Sequence, residues 1–123
     1  VDADTDHQVY RYNATGTLVS QFGLAASSTD PQGITTDGTN IWVVDEVDNE
    51  VYKYDMDGVS VSSFSLTGAN HDPTGITTDG KLIWVVDALD DKIYAYSMSG
   101  TFSKEFSLAA ANADPQGLTV SPR

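Results

Sequence analysis

Apolar and polar positions along this chain fall either into alternation or into short unbroken runs. "NIWVVD" (Asn40 to Asp45), "EVYKYD" (Glu50 to Asp55) and "VSVSSFSL" (Val59 to Leu66) are rich in β-branched and aromatic residues, the composition and two-residue period of strands. With "GITTD" (Gly33 to Asp37) they make four predicted strands, separated by Asp37-Gly38, Glu46 to Asn49 and Asp57-Gly58. Asp-Gly pairs supply the positive φ that tight hairpins need. No window carries the helical period, so the pattern predicts an all-β chain.

The same pattern returns at a shift of 42 residues, as from Phe22 to Phe64 to Phe106. "VYRYNATG" (Val9 to Gly16) matches "VYKYDMDG" (Val51 to Gly58) and "IYAYSMSG" (Ile93 to Gly100), and Trp42 matches Trp84. "DPQGITTDG" (Asp30 to Gly38) returns as "DPTGITTDG" (Asp72 to Gly80), then as "DPQGLTVSP" (Asp114 to Pro122), with its second half altered. Four antiparallel strands in about 40 residues, repeated, is the signature of a β-propeller blade. The expected fold is therefore a β-propeller of four-stranded antiparallel blades, with three repeat units in the chain.

The unit "DPTGITTDGKLIWVVDALDDKIYAYSMSG" (Asp72 to Gly100) resembles the blades of NHL-type and related six-bladed propellers, which read roughly P-x-G-I-A-V-D-x-x-G-x-I-Y-V-A-D-x-x-N-x-R-I-x-V-F-x-x-x-G. The resemblance covers the chain repeat by repeat. One departure is the family's Arg, whose slots hold Gln8, Glu50 and Lys92, so Asp45 lacks that partner and Asp87 has only Lys92. The resemblance implies six blades. It also implies that the loops joining strands D to A and B to C, lettered outward from the ring axis, share one face at the channel mouth.

In that register residues 1–24 are a partial blade holding the end of B, then C and D. Residues 33–66 and 75–108 are whole blades, and Gly117 to Ser121 is a lone innermost strand. A lone A strand and a blade lacking A are complementary, and joining them hides two open edges. Three blades fall below the usual range for rings. The expectation is a homodimer closed by twofold symmetry into a six-bladed ring, in which 117–121 completes the partner's first blade. The runner-up arrangement is a fragment of a longer repeat array.

Charge narrows the partners. Eighteen acidic residues against six basic give a net charge of −12, which repels phosphate backbones and anionic lipid heads. Nucleic acid is therefore not an expected partner, and no apolar run reaches membrane-spanning length, so no membrane insertion is expected. A cationic protein or small ligand fits better, as does a metal ion. The chain has no cysteine, which excludes disulfides and thiolate zinc sites, and an extracytoplasmic or secreted setting is the expected localisation.

Most of the acids fall on the mouth loops. Asp30, Asp45, Asp48, Asp72, Asp87, Asp90, Asp91 and Asp114 form the candidate ligand-binding face, a ring that would focus a negative field. The competing reading is structural, since Asp before Pro starts turns and Asp at a strand end accepts backbone N–H bonds. "DADTD" carries Asp2, Asp4 and Asp6 in the opening pattern of a calcium loop, but His7 and Asn13 stand where that loop needs Gly and Glu. Calcium is the cofactor such carboxylates would take.

Catalysis finds two candidates, His71 and His7, both on the mouth loops. They would serve a metal-dependent lyase or hydrolase of the six-bladed propeller type; streptogramin lyases are similar in their Trp and D-P-x-G blade features. The six tyrosines at 10, 12, 52, 54, 94 and 96 would either form a sugar-stacking platform or pack between blades, and the packing reading is preferred. "NAT" (Asn13 to Thr15) fits an N-glycosylation sequon. The functional expectation is a non-catalytic binding or scaffold propeller whose acidic mouth recognises its partner, with the lyase or hydrolase as the alternative.

Overall fold

The computed structural model describes Val1 and residues 6–120. Among the described residues there are ten strands and no helix: β1 (Gln8–Tyr12), β2 (Leu18–Gly23), β3 (Pro31–Thr36), β4 (Asn40–Asp45), β5 (Glu50–Asp55), β6 (Ser60–Ser65), β7 (Pro73–Thr78), β8 (Leu82–Asp87), β9 (Lys92–Ser97) and β10 (Phe102–Ser107). They form three antiparallel sheets whose strands follow chain order: β1-β2, β3-β4-β5-β6 and β7-β8-β9-β10. The four strands expected in the middle unit are all present. The innermost one starts earlier than the pattern suggests, because Pro31 already pairs with Asp45 and a bulge brings Gly33 opposite Val44. Pro73 and Gly75 repeat that arrangement on β8. An extra residue on one strand bends it and increases its twist.

Hairpin turns are held by the residues that announce them. Gly38 and Gly58 have φ of 92° and 87°, a region that glycine enters without steric cost. The Asp37 carboxylate accepts the N–H groups of Thr39 and Asn40 at 2.8 and 2.9 Å, and Asp55 does the same for Asp57 and Val59, both at 2.9 Å. In the turns between β4 and β5 and between β8 and β9, Asn49 and Asp91 take a positive φ of 55° each, and His7 takes 49°. Asn and Asp tolerate that conformation best among residues with side chains.

Sheets pack face to face through repeated contacts. Val9, Ile41, Val43, Tyr52 and Tyr54 form the core between the first and second sheets. Between the second and third, the counterparts Val51, Ile83, Val85, Tyr94 and Tyr96 are joined by Trp42, Val44 and Ile76. Four of the six tyrosines, Tyr52, Tyr54, Tyr94 and Tyr96, are thus buried, which is the interblade role and leaves no sugar-stacking platform at those positions. At the inner end β3 lies against β7, close enough that a Cβ on Gly33 would stand 3.1 Å from the Gly75 Cα.

The tail continues this progression. A Cβ on Gly75 would stand 2.7 Å from the Gly117 Cα, and the Thr74 hydroxyl donates to the Pro115 carbonyl at 2.6 Å. Residues 117–120 nevertheless carry no strand ladder. Among the described residues there is no second strand beside them to supply one. Ser121 lies outside the described residues.

Candidate functional site

The mouth face is assembled from the loops after β2, β4, β6, β8 and β10. Its geometry separates the candidate carboxylates into two that are fully buried and others that lie nearer the surface. Asp45 and Asp87 are fully buried. Asp45 accepts the Asp30 N–H at 2.8 Å and the Ser28 hydroxyl at 3.1 Å through one oxygen, and the Val47 N–H at 3.0 Å through the other. Asp87 accepts from the N–H groups of Asp72, Leu89 and Asp90 at 2.9, 2.9 and 3.1 Å. Each ties the loop entering a blade to the turn leaving it, and neither presents an oxygen at the surface. The Arg of the resembled family is replaced here by backbone donors. Lys92 does not serve Asp87: its ammonium meets Glu105 at 3.2 Å, since the pairing of β9 with β10 brings those two side chains together.

Asp30, Asp72 and Asp114 stand at the loop exits. Asp30 and Asp114 accept from the side chains of Gln32 and Gln116 at 2.7 and 2.8 Å. Asp114 takes a positive φ of 58°, and its N–H donates to Asp91 at 3.0 Å, so Asp91 does for the third loop part of what Asp45 and Asp87 do for the others. Asp48 and Asp90 receive the hydroxyls of Tyr52 and Tyr94, the latter at 2.5 Å, and Tyr10 donates to Asp6 at 2.6 Å in the same relation. Three blades thus repeat one carboxylate–phenol pair. Burial, then the carboxylate bond, pushes the Tyr52 and Tyr94 phenols above their ordinary range. Burial raises the Asp48 carboxyl, and the Tyr52 hydroxyl partly opposes it.

Glu46, in the turn between β4 and β5, lies outside the set of candidate carboxylates but meets two of them. Partial burial raises the Glu46 carboxyl, and the charges of Asp72 and Asp30 raise it further, with a hydrogen bond to Asp72 adding to them. The sequence places this residue among the acids of the mouth loops, but the repeat does not carry it through, because its counterparts are Asp4 and Ala88. Its signal in sequence is therefore a departure from the repeat. The Lys53 ammonium lies 5.6 Å above the Trp42 ring.

His71 lies beside this cluster, its side chain half exposed and its Nδ1 4.0 Å from Asp87 Oδ2. His7 occupies the left-handed turn position shared with Asn49 and Asp91. Asp2 and Asp4 lie outside the described residues, and Asp6 is engaged with Tyr10. Among the described residues no three His, Cys, Asp or Glu side chains come together as a metal-binding group.

No family model matches this chain, and no curated protein matches it. Solved structures do. A streptogramin B lyase is 24% identical with a TM-score of 0.67, covering 93% of this chain and 38% of its own. Hydrazine synthase from Kuenenia stuttgartiensis is 17% identical with a TM-score of 0.68, covering 94% and 33%, and the WD40 repeats of RRP9 are 10% identical with a TM-score of 0.63, covering 85% and 34%. Together with the three antiparallel sheets, these likenesses define the class: the fold is that of a β-propeller. The chain spans well under half the length of the structures it matches.

Proposed function

We propose that this chain is a non-catalytic recognition or scaffold module of the NHL-like kind, that two copies close a six-bladed ring, and that its mouth binds a cationic protein segment or small cationic ligand. The observation that carries the reading is the Glu46, Asp72 and Asp30 group, in which partial burial and then the charges of Asp72 and Asp30 raise the Glu46 carboxyl above its ordinary range. A cation placed there relieves the repulsion among those charges, and the walls of a propeller mouth concentrate the field toward it. The extracytoplasmic setting and calcium as an alternative cation belong to this proposal.

A tetralysine peptide titrated by calorimetry at low ionic strength tests it. Binding should weaken in the Glu46→Gln/Asp72→Asn double variant. It should survive in Asp57→Asn/Asp79→Asn, which removes the same charge from turns on the opposite face. Equal loss in both variants would reduce the effect to net charge, and an absence of binding would end the proposal.

A second reading rests on His71 beside Asp87 and on the nature of two structural neighbours. A catalytically inactive histidine-to-alanine form of virginiamycin B lyase from Staphylococcus aureus is 24% identical with a TM-score of 0.64, which ties a histidine to activity in that protein. Under the metal-dependent lyase or hydrolase alternative, His71 would be the acid or base. His71→Ala would then abolish turnover, whereas a binding module is indifferent to it.

A further inference from the structure

We infer that the two open ends of the blade array form one more blade junction between two copies of this chain, keyed by Phe106 seated on the Gly16 turn and against Tyr12 of the partner subunit. The inference rests on the ring reading above and names the contacts that make it.

The two internal junctions set the rule. Phe22 on β2 sits over Gly58, so close that a Cβ there would stand 2.3 Å from the ring, and Phe64 on β6 sits over Gly100 at the same 2.3 Å. The Phe22 ring also lies 5.4 Å from Tyr54, and the Phe64 ring 5.5 Å from Tyr96. Each tyrosine is then sealed, at 1% exposure, and its hydroxyl accepts a backbone N–H from the preceding blade: Ala25 at 2.9 Å and Thr67 at 3.1 Å. A glycine with no side chain, a covered tyrosine and a donated N–H therefore recur together.

Every part of a third such junction is present but unmatched. Phe106 is 49% exposed and Tyr12 is 58% exposed. Gly16 has the same φ as Gly58, 87°, yet nothing lies within 4 Å of the place its Cβ would take. Ala109 is the counterpart of Ala25 and Thr67 as donor. Within residues 1–123 the halves sit at opposite ends of the array, and joining them to each other would fold those residues into a ring of three blades.

The occupant follows from the register. The seat for Phe106 must offer a tyrosine four residues before an open glycine, at the outer turn of a blade whose innermost strand is absent. Tyr12 and Gly16 on β1-β2 are that surface. The innermost position of the same blade is already taken by residues 117–120, laid on β7 as β7 is laid on β3. Leu118 and Val120 there line a cavity of about 180 Å³ with Thr77, Trp84, Ile93 and Phe106, on the face that at the previous junction is closed by Ile76 against Trp42. A second copy of this chain supplies the tyrosine and the open glycine that Phe106 lacks.

Light scattering across a concentration series tests the inference. The 123-residue chain should weigh twice 13.2 kDa, and Phe106→Asp should weigh 13.2 kDa with unchanged strand circular dichroism. Val61→Asp, at a position 52% exposed on β6 and away from the junction, should remain a dimer. Tyr12→Ala should also be monomeric, and it probes the other side of the contact if Phe106→Asp fails to fold. A wild-type monomer overturns the ring and its key together. A dimer that survives both Phe106→Asp and Tyr12→Ala overturns the key and leaves the ring standing, and the tetralysine titration is independent of either result.

Discussion

At Asp87 both carboxylate oxygens are spent on backbone N–H groups inside the molecule, while Glu46, one position after its counterpart Asp45, is left against Asp72 and Asp30. The sequence presents all of these as acids on mouth loops and does not separate them, because what distinguishes them is burial set by loop curvature. The repeated Asp in identical surroundings marks the structural role, and the unrepeated Glu meets the charges of its neighbours. Their pH responses differ accordingly. Glu46 has its folded value raised above 4.5, so the protonated form is favoured on folding, and the stability this gives is present below the ordinary carboxylate range and lost as pH rises through the raised value. Glu46→Gln removes the charge that causes the loss. Thermal unfolding should show the variant more stable than wild type near neutral pH, with the gap closing toward about pH 4. A variant less stable at neutral pH would mean that the carboxylate is held by a favourable partner.

Elements that the repeat writes as equals differ once they are packed. Ile34 and Ile76 occupy the same place on β3 and β7, yet Ile76 is 4% exposed and Ile34 is 37% exposed. The reason is the neighbour across the junction. Ile76 shares a core with Trp42 and Val44, whereas Ile34, with Val9, Phe22, Ile41 and Met56, lines a cavity of about 350 Å³. Sequence periodicity assigns strand, face and register here, and the hairpin glycines fix the turns. It does not set the burial of each position, because burial depends on what stands on the far side of the contact. Truncating a closely packed Ile commonly costs about 2–5 kcal/mol, and a half-open one far less. Ile76→Ala should therefore lower the urea midpoint by an amount worth about 3 kcal/mol, and Ile34→Ala by about 1 kcal/mol or less. Equal losses would show that the first junction is as tightly closed as the second.

For the whole molecule the governing quantity is charge. Side chains that face a neighbouring blade repeat every 42 residues, so the junction was legible in the sequence. The number of junctions in a ring was not, because it depends on the angle at which packed sheets settle. The charge is legible and also global: 18 acids against six bases, with many of the acids gathered on one face. Lys92 pairs with Glu105 and Lys53 lies over Trp42, so these cations do little to quiet the mouth. Self-repulsion of this kind works against the compact state. It reaches about 10 Å at 0.1 M ionic strength and about 3 Å at 1 M. Raising sodium chloride from about 0.02 to about 0.5 M should therefore raise the melting temperature steadily, most at the low end where the screening length changes most. A surface held together by ion pairs would respond the other way. Calcium chloride matched in ionic strength separates screening from binding. Equal melting temperatures in the two salts mean that the acids act as a diffuse field, and a further rise with calcium means that several of them close on one ion.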